Sequence, residues 1–362
     1  MGARPKISFC VPTYNRGWLV ERNVKTLLGF AGMDIEVVVV DDASPDDTAI
    51  RMRSISDPRL RFYHNERNLN FVENFKLVTS KAQGEWVFTL SDEDKVTPQI
   101  ASKLIELTSD KALSEVSVML GNIRNAEGPY PYYAFHDGKG YIPYRYENKR
   151  FGRGDEAVVG VGFHHKYVSG ILVRTDSIDW QSLDAYSRSE CGIAPQVDMY
   201  TRACTNGTAA TFDLDFCIKR VDRGERSFVD KVSSSSYKSP QNRMIQFKYY
   251  ISLADQLVAD PLCKVDAFVA IYGYYIDEGT YGWNRLISSE SERRYYFEKF
   301  DSEVPDLDEA VRAFHAEAIA FIESRSENWN SALGGLDRVR QPILERLRFF
   351  AKKRGVSILW SA

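Results

Sequence analysis

The sequence predicts an α/β protein: a mostly parallel sheet sandwiched by helices, followed by a helical C-terminal extension. Three observations carry that expectation. Short apolar runs alternate with segments of helical period through residues 1–110, the β, α, β, α order of a parallel sheet with crossover helices. One run, IEVVVV over residues 35–40, is β-branched almost throughout, as suits a strand covered on both faces. Beyond the polar stretch SSSSYKSPQN at 233–242 the pattern is helical nearly to the end.

The elements follow in order. Residues 6–11 (KISFCV) form the first expected strand, and 18–30 then place Val20, Val24, Leu27 and Leu28 at helical spacing. After the strand at 35–40, Ser44 and Pro45 have the chemistry of an N-cap and a first helical residue, opening a helix to about residue 54. A strand is expected over 59–63, a helix over 71–82 stopped at Gly84, and a strand over 85–90. Thr97 and Pro98 repeat the cap and first-turn pair for a helix to about 107. From 111 to 226 the pattern loosens into Tyr- and Gly-rich turns, with a strand expected over 167–174 (YVSGILVR) and a helix over 196–207 (QVDMYTRACTNG). A chain of 362 residues is long for one core, and the divisions expected are 1–110, 111–230 and a helical 231–362.

Composition narrows the partners. The formal net charge of -3 offers no electrostatic footprint for nucleic acid. The 5 cysteines are scattered with no C-x-x-C, which suits reduced thiols in the cytoplasm rather than a disulfide frame or a zinc site. No apolar stretch approaches the ~18 residues needed to span a bilayer, and the N-terminus lacks the apolar centre of a signal peptide. The expectation is a cytoplasmic protein.

In open sheets of this kind ligands sit beyond the carboxyl ends of the strands. The first strand ends in Pro12, Thr13, Tyr14, Asn15 and Arg16, the second in Asp41 and Asp42, and the strand at 85–90 in Asp92, Glu93 and Asp94, so all three should converge on one rim. Three adjacent carboxylates after a buried strand repel one another, and solvent, a basic partner or a bound cation must offset the repulsion. Their hard oxygens suit Mg2+ or Mn2+, which complete their shells with water and phosphate; a solvated acidic turn is the plain alternative. Asp41 and Asp42 on the same rim weigh toward a ligand, since an aspartate there can accept from a ribose hydroxyl or a base N–H. Neither a G-x-G-x-x-G nor a G-x-x-x-x-G-K-[ST] loop follows the first strand, so metal and side chains would have to hold any phosphates.

The blocks FCVPTYNR, EVVVVDDASPDDT and NLNFVENFKLVTSKAQGEWVFTLSDEDKVTP resemble, in order and spacing, the nucleotide-sugar-binding half of family-2 glycosyltransferases of the GT-A fold. The match is to a subgroup with an S-D-D-D metal motif. The resemblance implies a nucleotide-sugar-binding half over 1–110 and an acceptor-binding half over 111–230. It places Pro12, Thr13, Tyr14, Arg16, Asp41, Asp42, Asn74 and Asp92 at the nucleotide, with Pro12 and Tyr14 on the base and Asp42 on a base N–H. Asp92 approaches the ribose or the metal, and Glu93 or Asp94 holds the metal, Mn2+ or Mg2+. The implied reaction moves a sugar from a nucleoside diphosphate sugar to a hydroxyl of a glycan or lipid-linked glycan, in bacterial surface polysaccharide synthesis, with inversion favoured over a retaining course, which would need no base.

An inverting transfer needs a base for the acceptor hydroxyl. Where the family places its aspartate this chain has Gln196, so Asp198 is the first candidate and Glu190 the second; the alternative for Asp198 is a pair with Arg202 one helical turn on. Arg220, Arg223 and Arg226 form either a lid over the diphosphate, with Arg223 and Arg226 its chief members, or an exposed basic loop. His164 and His165 read best as one structural and one exposed histidine. The segment 337–355 (DRVRQPILERLRFFAKKRG) is a basic amphipathic helix, suited to an anionic membrane surface or to packing with a solvated basic side. Two rival functions are a non-catalytic nucleotide-sugar-binding module, to which Gln196 points, and a sugar nucleotidyltransferase, which would need a Gly-rich basic loop that VPTYNRGW supplies poorly.

Overall fold

A computed structural model describes residues 4–125, 134–136, 141–143, 146–163, 165, 167–187, 194–219, 240–260, 263, 267 and 271. The chain divides into two compact units: 1–134 with 143–153 and 165–233, and 135–142 with 154–164 and 234–362.

The first unit is built on an eight-stranded sheet. Its opening half alternates β1 (Ile7–Thr13), α1 (Gly17–Leu28), β2 (Ile35–Asp41), α2 (Thr48–Arg53), β3 (Leu60–His64), α3 (Asn70–Ser80), β4 (Trp86–Thr89) and α4 (Pro98–Ser109). β5 (Val116–Asn125), β8 (Lys149–Phe151), β9 (Ile171–Arg174), α6 (Trp180–Ser187), α7 (Pro195–Ala203) and β10 (Thr208–Lys219) complete it. The strand order is β3-β2-β1-β4-β9-β5-β10-β8. β1 pairs in parallel with β2 and β4, and β2 with β3, while β9 runs antiparallel between β4 and β5. Both expected halves, before and after residue 110, thus contribute strands to one sheet.

The core explains the sequence pattern. Val37, Val38, Val39 and Val40 of β2 are all fully buried, so helices cover both faces of that strand. Phe9 of β1 and Phe88 of β4 stack in tilted contact 5.2 Å apart, each side chain worth about 1.5–3 kcal/mol of burial. Thr97 caps α4 as expected, its hydroxyl accepting from Ile100 N.

Three expectations are corrected. α2 begins at Thr48 rather than Pro45, because Ser44 is not a cap: its hydroxyl donates to the Asp41 carboxylate and accepts from Asn15 N (2.7 Å). Gly84 does not end α3, which closes at Ser80 with Lys81 still helical; a Cβ at Gly84 would stand 2.6 Å from Ser8 Oγ, whose close approach is what requires glycine. The strand expected over 167–174 is regular only from Ile171, because Tyr167 and Ser169 are drawn to the acidic cluster described below.

In the second unit the described elements are a helix, α5 (Asp155–Val161), a helix over Pro240–Leu257, and most of a two-stranded ribbon, β6 (Ala134–His136) with β7 (Tyr141–Pro143). Asp155 accepts from Ala259 N (3.0 Å) and Asp260 N (2.7 Å), and Phe163 packs on Tyr250 at 5.7 Å. Among the described residues no helix is long and apolar enough to cross a membrane. The basic segment at 337–355 lies outside the described residues.

Candidate active site

Because β1, β2 and β4 are parallel, their carboxyl ends share one edge of the sheet, and the three polar segments converge there. The loops after β1 and β2 are laced together. Asp42 N donates to Thr13 O (3.0 Å), and Gly17 N donates to Asp46 Oδ2 (3.0 Å). Asn15 and Ala43 take left-handed backbone angles, φ 55° and 57°, to make the two turns.

The Asp41–Asp42 side of the rim is well satisfied. Asp41 is fully buried and accepts from Ser44 N (3.1 Å), the Ser44 hydroxyl and His64 Nδ1 (2.8 Å). Asp42 Oδ1 accepts from Asn65 Nδ2 (2.9 Å) and Leu69 N (2.8 Å), while no described residue donates to its Oδ2. Asn74 accepts from the same Asn65 amide (3.2 Å) and donates to Val40 O (3.1 Å), so it fixes the rim from beneath. Pro12 is buried within β1, and Tyr14 beside it keeps 38% of its surface exposed, leaving its ring open to stacking.

The Asp92–Asp94 side is divided. Asp92 accepts from Thr13 Oγ1 (2.8 Å) and from Arg16 Nη1 (2.8 Å), so both its oxygens face the loop after β1. Asp94 is fully buried and accepts from Ser169 Oγ (2.5 Å) and Tyr167 Oη (3.1 Å). Glu93 lies 3.3 Å from that tyrosine hydroxyl and 3.7 Å from Arg16, and its Oε2 is buried with no hydrogen-bond partner. Burial, reinforced by the neighbouring Glu93 charge, pushes the Asp94 carboxyl up to about 7, and burial likewise raises Glu93. The Asp92 carboxylate, in return, raises Arg16. Lys219 Nζ sits 4.5 Å over the Tyr167 ring. Underneath, Asn23 Nδ2 donates to the Asp94 carbonyl (2.7 Å) and shares the Asp92 carbonyl, fixing the turn's backbone.

Four groups here went unread in the sequence: Asn23, Tyr167, Ser169 and Lys219. Tyr167 and Ser169 carried a signal, since residues two apart in an extended segment face one way. Among the described residues no set of three or more His, Cys, Asp and Glu forms a metal cluster. The donors present nonetheless fit a hard divalent ion held by one or two carboxylates, because Glu93 Oε2 is an orphaned buried oxygen beside the desolvated Asp94; water and phosphate would supply the other ligands.

Asp198 lies on α7, fully buried, with Oδ1 2.9 Å from Arg202 Nε, so the pair within the helix is formed. Gln196 is also buried. Glu190, Arg220, Arg223, Arg226 and His164 lie outside the described residues. His165 is the structural histidine: its Nε2 is 2.7 Å from Ser169 O, its ring stacks on Tyr146, and burial lowers it to about 4.

Residues 8–178 match the model of glycosyl transferase family 2. The succinoglycan biosynthesis protein ExoO of Rhizobium meliloti is 32% identical over 114 residues, 32% of each chain. The GalNAc(5)-diNAcBac-PP-undecaprenol beta-1,3-glucosyltransferase of Campylobacter jejuni is 32% identical over 111 residues, 29% of this chain and 35% of that one. These matches span about a third of the length of the curated relatives. The crystal structure of S. aureus TarS 1–349 in complex with UDP-GlcNAc superposes with a TM-score of 0.62 at 16% identity, covering 95% of this chain and 92% of that one, which makes the fold GT-A-like. Over residues 8–178 the chain is similar to glycosyl transferase family 2.

Proposed function

We propose that the protein is a glycosyltransferase that moves a sugar from a nucleoside diphosphate sugar to a hydroxyl of a glycan or lipid-linked glycan, using Mn2+ or Mg2+, in the building of a bacterial surface polysaccharide. The observation that carries this reading is the meeting, on one edge of the sheet, of the exposed Tyr14 ring, Asp42 with its unengaged Oδ2, and the desolvated pair Glu93 and Asp94. The relatives named for succinoglycan biosynthesis and for transfer to an undecaprenol-linked acceptor support the substrate class.

In this reading Tyr14 stacks on the base beside Pro12, and Asp42 Oδ2 accepts a base N–H. Thr13, Arg16 and Asp92 form the wall next to the ribose, and Asn74 keeps Asp42 in place through Asn65. Glu93 and Asp94 hold the cation. When bound, the cation supplies positive charge against the negative charge that grows on the departing diphosphate. Inversion requires a base at the acceptor hydroxyl. Asp198 would have to exchange Arg202 for that hydroxyl, and Glu190 is the other candidate.

A second reading, a nucleotide-sugar-binding module without transfer, is favoured by the burial of Asp198 in its ion pair and by Gln196 at the family's aspartate position. Incubation with nucleoside diphosphate sugars and a lipid-linked glycan separates the two. Transfer releases free nucleoside diphosphate and, with inversion, gives a product of opposite anomeric configuration by NMR; binding without release supports the module. Asp198→Asn and Glu190→Gln locate the base, because only the base variant should lose about 100-fold or more in rate. A lipid-linked acceptor would bring the protein to the inner face of the plasma membrane through the basic 337–355 segment, and cosedimentation with anionic vesicles tests that contact.

A further inference from the structure

We propose that Arg16 is a built-in counter-cation that keeps Asp92 out of the cation's coordination and competes with a divalent ion for the acidic cluster. The inference rests on the reading that Glu93 and Asp94 hold a cation. It is carried by how unevenly the three carboxylates are compensated.

Arg16 is anchored at both ends. Its carbonyl accepts from Leu19 N (3.0 Å) and Val20 N (3.1 Å), fixing it at the start of α1, and its guanidinium reaches Asp92 Oδ1 at 2.8 Å and Glu93 Oε2 at 3.7 Å. The side chain is only 15% exposed, so little solvent screens these contacts. Thr13 takes the other Asp92 oxygen, so both oxygens are engaged and the guanidinium's positive charge on Oδ1 disfavours a second cation at Asp92 while Arg16 stays. Glu93 Oε2 is the opposite case: the residue is nine-tenths buried, the oxygen has no hydrogen-bond partner, and Arg16 stands just beyond hydrogen-bond reach of it. Arg16 Nε is itself buried with no partner, so the guanidinium is placed by charge rather than by a full set of hydrogen bonds.

A divalent ion entering alone must settle beside this fixed positive charge. A nucleoside diphosphate brings oxygens that can face the ion and the guanidinium together. The consequence is strong coupling: the ion binds weakly alone and much more tightly with nucleotide. Without Arg16, Asp92 becomes an available ligand, the ion binds more tightly alone, and the coupling shrinks.

The test is titration of the full chain with Mn2+, free ion read by electron paramagnetic resonance, with and without UDP. Arg16→Gln should bind Mn2+ alone about tenfold more tightly than wild type, Arg16→Lys should stay near wild type, and adding Asp92→Asn to Arg16→Gln should reverse the gain. Arg16→Met, which keeps the apolar stem, serves if Arg16→Gln fails to fold. A third readout needs no variant: in the wild-type protein the Arg16 Nε–H resonance should shift in step with Mg2+ binding. Unchanged or weaker Mn2+ affinity in folded Arg16→Gln or Arg16→Met, or an Arg16 resonance that ignores bound Mg2+, overturns the proposal while leaving the cation reading intact. Absence of Mn2+ binding in wild type and every variant, with or without UDP, overturns both. Mn2+ binding by Arg16→Gln alone supports Arg16 as the resident substitute for the ion.

Discussion

Two acidic pairs stand on the same edge of the same sheet and are built in opposite ways. Asp41 and Asp42 are buried among donors: a serine, a histidine, an asparagine and backbone amides answer their charge from within the chain. Glu93 and Asp94 are buried to a similar depth, yet receive two hydroxyls, leave one oxygen orphaned and are pushed toward the protonated form. A carboxylate with its donors supplied is part of the scaffold, whereas one that the fold desolvates with too few donors is a place where the fold gives up stability that a ligand can restore. Asp92, between them in sequence, belongs with the first kind because Arg16 and Thr13 serve it.

The largest effect expected from that contrast is at Asp94. Asp94→Asn should abolish cation-dependent nucleotide binding, a loss of about 100-fold or more, while the cation-free protein becomes more stable at pH 8. The sign follows from burial: with Asp94 raised to about 7 when folded, against about 4 when unfolded, its neutral form favours folding, so its contribution is intact at low pH and lost as pH rises through 7. Thermal unfolding in EDTA should therefore show the variant's advantage growing from pH 5 to pH 8, with Mn2+ reversing it for wild type only. An advantage that stays flat with pH would break the contrast.

Asp42→Ala should do the reverse. It leaves Leu69 N without its acceptor and takes one of two acceptors from Asn65 Nδ2, and should cost about 1–3 kcal/mol of stability by denaturant titration, together with nucleotide affinity. A comparable penalty should appear on acidification through His165. Burial lowers that imidazole to about 4, so the stability it contributes is full above its unfolded value of about 6.5 and is lost as pH falls toward 4. His165→Gln should flatten stability over that range, and since Asp94 acts in the opposite sense there, the two variants must be compared separately with wild type. Tyr167→Phe sharpens the contrast further, removing one hydroxyl from Glu93 and Asp94 and changing Mn2+ affinity in isothermal titration by roughly two- to tenfold with little effect on folding. The smallest effect is at Ala43, whose φ of 57° favours glycine; Ala43→Gly should gain about 0.5–1 kcal/mol in the same denaturant titration.

The half of the fold made of local signals was legible in the sequence. β1, β2 and β4 and their helices follow from apolar period, and the convergence of Thr13, Asp42 and Asp92 follows from parallel order alone. Ser44 and Gly84 misled because each has a local motif's chemistry but serves a partner far along the chain, Asn15 and Ser8. Tyr167, Ser169 and Lys219 reach the acidic cluster from more than seventy residues away, a distance that periodicity cannot bridge. The pairing of Asp198 with Arg202, by contrast, was visible as an i, i+4 spacing and is formed.

Both acidic pairs are read as parts of one rim that binds a nucleoside diphosphate together with a cation. Calorimetric titration of UDP, GDP, CDP and dTDP with Mn2+, Mg2+ or EDTA, on wild type, Asp42→Ala and Asp94→Ala, tests it most directly. The expected result is metal-dependent binding of one nucleotide, weakened by both substitutions, with the metal dependence lost only in Asp94→Ala. No binding of any nucleotide under any metal would contradict it and leave the likeness to glycosyltransferases as one of fold alone.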